Sequence, residues 1–224
     1  MPRVLLFDID NTLLWSGGAG GEAMTAAFHD LFDIANGFER VEFAGRTDRY
    51  IFAEALRQHQ IAGDHDAHLK EMTARYFGLL PDALKEKNGH LMPGLPQLLE
   101  HLGQQPGLRL GLATGNFSES AHLKLRHFGI DQFFAGGGFG EESEDRAEVV
   151  CLAMQQMADG ASPRDVLIIG DTPHDISSAL ANGATAVGVA TGSFSADQLR
   201  DCGAHLVFED LGQWQEAATV LLGP

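Results

Sequence analysis

The chain has 224 residues, 44% of them hydrophobic and 21% charged, with a formal net charge of −16 and a pI near 4.8. Its length allows one good core, or a core plus an appendage, and the acidic balance argues against a nucleic-acid or anionic-membrane surface. No window reaches the roughly 18 apolar residues that a membrane span needs, and the two cysteines, Cys151 and Cys202, are too few for a disulfide framework.

In chain order, Val4 to Phe7 is a short apolar run, read as a strand buried on both faces. It stops at Asp8 and Asp10, with Thr12 just beyond, so no secretion signal is expected and a cytoplasmic protein is. Strand residues two apart share a face. If the extended geometry continues to Asp10, both carboxylates enter one volume and repel by about 4 kcal/mol at ~4 Å and an effective dielectric near 20. A metal ion or a proton must relieve that repulsion. The alternative is a solvated turn, which Asp and Asn favour.

Four glycines between Ser16 and Gly21 predict a hinge or flap. The stretch lacks the GxxxxGK[ST] pattern of a phosphate loop. From Glu22, apolar residues Ala23, Ala27, Phe28, Leu31 and Phe32 recur at helical spacing. Phe38 to Ala44 reads as a connector, and Thr47 to Gln60 and Asp64 to Lys87 as two further helices. No strand is expected from Glu22 to Lys87. His59, His65, His68 and His90 are scattered and read as surface residues, not a metal site.

Beyond Leu91–Pro96 the pattern changes, with Pro96 suiting the first turn of a helix to Leu102. Strands are expected at Leu108–Ala113, Phe133–Ala135, Val166–Ile169, Ala186–Val189 and Leu206–Phe208. The intervening helices are Ser118–His127, capped by Ser118, Asp145–Met157, Ile176–Asn182 closed by Gly183, Ser195–Asp201 and a last one to Leu222. Such alternation predicts an α/β fold: a doubly wound, Rossmann-like parallel sheet with helices on both faces. The helical stretch is then an insertion. It divides the chain into a core of residues 1–14 and 91–224 and a helical cap of residues 15–90.

Three predicted strands end in polar groups: Asp8 and Asp10, Thr114 and Asn116, Asp171 and Asp175. A parallel sheet puts these ends on one edge, so the groups can converge. Singly, Thr114-Gly115-Asn116 reads as a turn and Asp171 as a helix cap. Three such ends on one edge are improbable as coincidence. Converging carboxylates repel one another, so a metal cation or bound protons must offset them there.

The order of an apolar run with DxDxT, an apolar run with T, and GDxxxD resembles that of the haloacid dehalogenase superfamily of phosphatases. The phosphoglycolate-phosphatase-like branch, with a helical cap after the first strand, is the most similar. The resemblance implies a central first strand flanked by those bearing Thr114 and Asp171. It also implies a Mg²⁺-dependent phosphatase acting on a small phosphorylated metabolite through an aspartyl-phosphate. Asp8 would be the nucleophile and Asp10 the general acid, then base. Thr114 and the amides of Gly115 and Asn116 would hold the phosphoryl oxygens. Asp171 would bind Mg²⁺ with Asp8 and the main-chain carbonyl of Asp10. Asp175 would orient the metal site or its waters, and Thr12 would fix the turn after Asp8.

The family usually carries a lysine, often followed by proline, at the helix start after the third strand. Here that region is Glu141–Ala147, and Arg146 is the candidate phosphate clamp, although arginine and lysine are not equivalent. Lys124 is the rival, expected to be a solvated helix lysine. Arg46, in Gly45–Arg49, resembles a cap residue facing the site. It either reads a substrate carboxylate or sits solvated on a helix turn. Asp10 favours phosphoryl transfer to water over dehalogenation. A phosphomutase and a non-catalytic domain on the same fold are the other readings.

Overall fold

A computed structural model describes residues 4–223. The chain opens with β1 (Val4–Phe7) and β2 (Leu14–Trp15), then α1 (Ala19–Phe32), α2 (Asp48–Gln58), α3 (His65–Glu86) and β3 (His90–Leu91). Next come α4 (Leu95–Gly103), β4 (Arg109–Ala113), α5 (Ser118–His127), β5 (Gly137–Gly138) and α6 (Arg146–Met157). The chain closes with β6 (Val166–Gly170), α7 (Pro173–Ala181), β7 (Thr185–Val189), α8 (Ala196–Asp201), β8 (Leu206–Phe208) and α9 (Trp214–Leu222).

Six strands form a parallel sheet in the order β5-β4-β1-β6-β7-β8. The order reverses at β1, so the crevice beyond its C-terminal end is the switch point where doubly wound sheets bind ligands. Period-two alternation sends Leu5 and Phe7 to one face, against Leu95, Leu98, Leu99 and Leu102 of α4 and Ala217 and Leu221 of α9. Val4 and Leu6 face the other way, against Val150, Ala153 and Met157 of α6, Ile176 of α7 and Leu199 of α8. Helices thus cover both faces, as the alternation predicts.

A separate apolar cluster gathers residues of α1, α2 and α3. Phe28, Phe52, Met72, Tyr76 and Leu80 are inaccessible, and Phe117 from the loop before α5 joins them. No strand interrupts Glu22 to Lys87, as expected. The two chain passages between this cluster and the sheet are clasped by a short antiparallel ribbon, Leu14 opposite Leu91 and Trp15 opposite His90.

Several local expectations need correction. Gly20 and Gly21 are not a hinge: α1 begins at Ala19, and only Gly17 and Gly18 take positive φ, at 68° and 84°. Ser118 is the first residue of α5 and not its cap; its amide is held by Glu141 Oε2 at 2.9 Å. No strand forms at Phe133–Ala135, where residues 131–133 make a 3-10 turn. The edge strand is instead Gly137–Gly138, where a Cβ would collide with the carbonyls of Leu112 and Val149. Close approach of α6 demands glycine there and leaves no apolar signature to read.

Candidate active site

Four loops leave the C-terminal edge of the sheet around β1. Their polar side chains share a cavity of about 360 Å³ lined by Asp8, Asp10, Gly115, Asn116, Lys124, Arg146 and Asp171, with Arg46, Asp48 and Tyr76 across from them.

Asp8 follows β1, its amide bonded to the Ile169 carbonyl at 2.9 Å, so the sheet continues one residue past the strand and fixes the carboxyl. Burial, outweighing the nearby Arg146, pushes Asp8 up to about 6. Arg146, the first residue of α6, is itself buried. Its Nη2 donates to Asp8 Oδ1 at 2.7 Å, Asp175 Oδ1 at 2.7 Å and the Ala113 carbonyl at 2.9 Å. Its Nε is buried without an acceptor among the described residues. The structure therefore brings Arg146, the basic residue expected at the start of this helix, against Asp8.

Asp10 turns elsewhere. Its Oδ2 accepts from Lys124 Nζ at 2.6 Å and from Asn116 Nδ2 at 2.8 Å, and Lys124 also donates to Asn116 Oδ1 at 2.5 Å. Lys124 is 4% exposed, so the expectation of a solvated helix lysine is wrong. It shares the buried stripe of α5 with Ser120, Ala121 and Leu125, and that i, i+3, i+4 spacing was the available signal. Arg146 and Lys124 are both in the site, each holding one of the opening aspartates. Much of the repulsion between Asp8 and Asp10 is thus relieved by protein cations.

Thr114 Oγ1 accepts from both the Asn116 amide, at 3.2 Å, and Asn116 Nδ2, at 3.1 Å, which leaves its own proton for an external acceptor. The Asn116 amide, expected to hold a phosphoryl oxygen, is occupied by that bond.

Asp8, Asp171 and Asp175 present carboxylate oxygens within 4.8 Å of one another. Among the described residues Asp171 has no basic partner comparable to Arg146; Thr12 Oγ1 donates to it at 3.4 Å. Burial first, then Asp175 and Asp8, push Asp171 up to about 8. A Cβ on Gly192 would overlap Asp171 Oδ2, so only glycine lets that loop close over the carboxylate. An all-oxygen set with uncompensated charge fits a hard divalent cation. Asp175 is fully engaged, Oδ1 with Arg146 and Oδ2 with the amide and hydroxyl of Thr172, closing a capping box on α7. Asp10 offers this cluster no carboxylate, because that group is turned to Lys124.

Arg46 lines the cavity mouth, paired with Glu42 at 2.7 Å and stacked 4.7 Å over the Tyr50 ring. Asp48, which sequence reasoning missed, joins α2 to the loop after β4. Its amide donates to the Gly115 carbonyl at 2.7 Å, and its Oδ2 accepts from the Phe117 amide at 3.0 Å and Ser120 Oγ at 3.2 Å. Burial pushes Asp48 up to about 7. The histidines expected at the surface form no cluster; His65 and His90 are exposed, His59 and His68 half-buried.

A family model for hydrolases described as haloacid dehalogenase-like matches residues 2–183. The chain belongs to that family, and its kind within it is the phosphoric monoester hydrolase. It is 26% identical to the probable phosphatase IndB of Dickeya dadantii over 99% of this chain and 96% of that protein. It is 27% identical to a phosphoglycolate phosphatase of Rhodospirillum rubrum over 96% of this chain and 91% of that one. It is also 28% identical to the tyrosine-protein kinase PtkA of Mycobacterium tuberculosis, over 88% of this chain and 65% of the kinase. A crystal structure of a protein described as a predicted phosphoglycolate phosphatase, from Haemophilus somnus, shares the fold, with a TM-score of 0.70, 20% identity and coverage of 97% and 98% of the two chains.

Proposed function

We propose that the protein is a Mg²⁺-dependent phosphatase that hydrolyses a small phosphorylated metabolite through a phosphoryl group carried on Asp8. The observation that carries this reading is the division of labour among the charges of the site: Asp8 held by Arg146, Asp10 held by Lys124, and Asp171 without a cation among the described residues. Residues 15–90 act as the cap over residues 1–14 and 91–224. Two unpaired cysteines suit action in the cytoplasm, and no described helix is long and apolar enough to cross a membrane.

In the first step an Asp8 carboxylate oxygen attacks phosphorus and the ester P–O bond breaks. Asp10 delivers its proton to the leaving oxygen. In the second, Asp10 takes a proton from the water that attacks the phosphoryl group, and Asp8 is restored. The Thr114 hydroxyl, the Gly115 amide and the free Nε–H of Arg146 would receive the phosphoryl oxygens. Lys124 and Asn116 fix Oδ2 of Asp10, leaving Oδ1 to carry the transferred proton. Asp8, Asp171 and the main-chain carbonyl of Asp10 would hold Mg²⁺, with Asp175 and Thr12 fixing their orientation. When bound, the ion neutralises phosphoryl charge. Arg46, at the cavity mouth, would reach the far end of a substrate.

Phosphate release from a panel of phosphorylated metabolites tests this, phosphoglycolate included, since a relative of that name spans nearly the whole chain. Release must require Mg²⁺ and stop in excess chelator. Isomer formation in place of release would make the protein a mutase; release undiminished by chelator would overturn the metal assignment.

A further inference from the structure

Among the described residues only two buried side-chain polar atoms lack a hydrogen-bond partner, Arg146 Nε and Tyr76 Oη. The first belongs to the guanidinium that holds Asp8; the second has no role in the proposed reaction. Tyr76 sits on α3 between Met72 and Leu80, all three fully buried, and its ring packs edge-on to Phe52 at 5.9 Å. The ring packing itself is apolar; Ser120 lies near the hydroxyl, outside hydrogen-bond geometry. A buried hydroxyl without a partner is destabilising, a cost that phenylalanine at this position would avoid.

Tyr76 lines the same cavity as Asp10 and Lys124, and its hydroxyl and the Lys124 amine both flank Gly20 of α1. A Cβ on Gly20 would stand 3.5 Å from Lys124 Nζ and 3.7 Å from Tyr76 Oη. That is ordinary van der Waals contact, so alanine would fit and would only remove volume. Lys124 spends two of its three N–H donors, on Asp10 and Asn116. Its third donor and the Tyr76 hydroxyl therefore border one small volume beside the acid that protonates the leaving group. Met24 and Ile51 supply apolar wall nearby, and Asp48 is already engaged by Phe117 and Ser120.

We infer that Gly20, Tyr76 and Lys124 form a leaving-group subsite, in which the Tyr76 hydroxyl donates to an oxygen acceptor carried by the alcohol part of the substrate. The inference rests on the phosphatase reading and deepens it: the substrate is the phosphate ester of a small alcohol bearing a further hydroxyl or carboxylate close to the ester oxygen. Tyr76 is a specificity-determining residue, and Gly20 keeps its space open.

The test compares three esters of matched length with Mg²⁺ present: ethyl phosphate, 2-hydroxyethyl phosphate and phosphoglycolate. Tyr76→Phe should lower kcat/KM by about 10-fold or more for an acceptor-bearing ester, the scale of one lost hydrogen bond, and least for ethyl phosphate, which carries no such acceptor. A larger loss on phosphoglycolate than on hydroxyethyl phosphate would assign the acceptor as a carboxylate, and the reverse order as a hydroxyl. The melting temperature of this variant should stay level or rise, which a merely structural tyrosine would not allow. Gly20→Ala should reduce turnover of the acceptor-bearing ester more than that of ethyl phosphate. Equal losses on all three esters, or none on any, would overturn the subsite while leaving the phosphatase reading intact. Hydrolysis of no ester by the unaltered protein would overturn both.

Discussion

Replacing Arg146 by methionine separates its charge from its volume, because the apolar stem is kept while the guanidinium is lost. In the native protein one nitrogen of that group lies 2.7 Å from both Asp8 and Asp175. Its removal leaves two buried carboxylates facing Asp171 without a counter-charge. Breaking a buried ion pair by deleting one partner costs about 3–5 kcal/mol, or roughly 6–20 °C in melting temperature at ~2–4 °C per kcal/mol for a chain of this size. The cost must depend on pH. The orphaned carboxylates can take up protons in acid, so the loss should be smaller at pH 5 than at pH 8. Arg46→Ala supplies the control: its pair with Glu42 is largely exposed, and such pairs contribute about 0–1 kcal/mol. Urea melts of both variants at the two pH values would measure this. A loss at Arg146 under about 1 kcal/mol at pH 8, or one equal at both pH values, would refute the reasoning.

Further outcomes follow from the same geometry. Lys124→Met should cut phosphate release by about 100-fold or more, the scale of losing a preorganised charged donor; turnover within a few-fold of the native rate would show that Asp10 does not depend on it. Asp8, at about 6, and Asp171, at about 8, both lie above an ordinary carboxylate. Their folded forms hold protons that the unfolded chain has lost, so the metal-free protein should lose stability as pH rises from about 4 to 8. Mg²⁺ binding should release protons near pH 7, seen as a buffer-dependent enthalpy in calorimetry, and should stabilise more at pH 8 than at pH 5; a buffer-independent enthalpy would contradict this. Asp48→Asn keeps an acceptor for Phe117 and Ser120 without the charge. Since Asp48 is pushed up to about 7, the variant should gain on the native protein as pH rises from about 4 to 7, and parallel stability profiles would count against it.

The sheet and its active edge were legible because β1, β4 and β6 are continuous apolar runs ending in Asp or Thr, a pattern that burial on both faces enforces. Residues that act from within a packed helix were not. Lys124 and Tyr76 each occupy a helical stripe of core residues, where a lysine reads as a solvated stem and a tyrosine as filler. Asp48 follows Thr47, whose hydroxyl caps α2 by accepting from the Tyr50 amide, so an acidic first turn looked like ordinary helix chemistry. Gly137–Gly138 was unreadable for the opposite reason, since a strand defined by what it must lack carries no apolar signal. Arg146 was found through family position; its contacts with Asp8 and Asp175 depend on how α6 and α7 meet, which no local pattern encodes.

The central claim is that the phosphoryl group passes through Asp8. Rapid acid quenching during turnover with Mg²⁺ and a hydrolysed ester, followed by peptide mass spectrometry, tests it most directly. A phosphoryl group on the peptide bearing Asp8, absent in Asp8→Asn together with activity, is the predicted result. Steady hydrolysis by Asp8→Asn with no protein-bound phosphoryl group would contradict it.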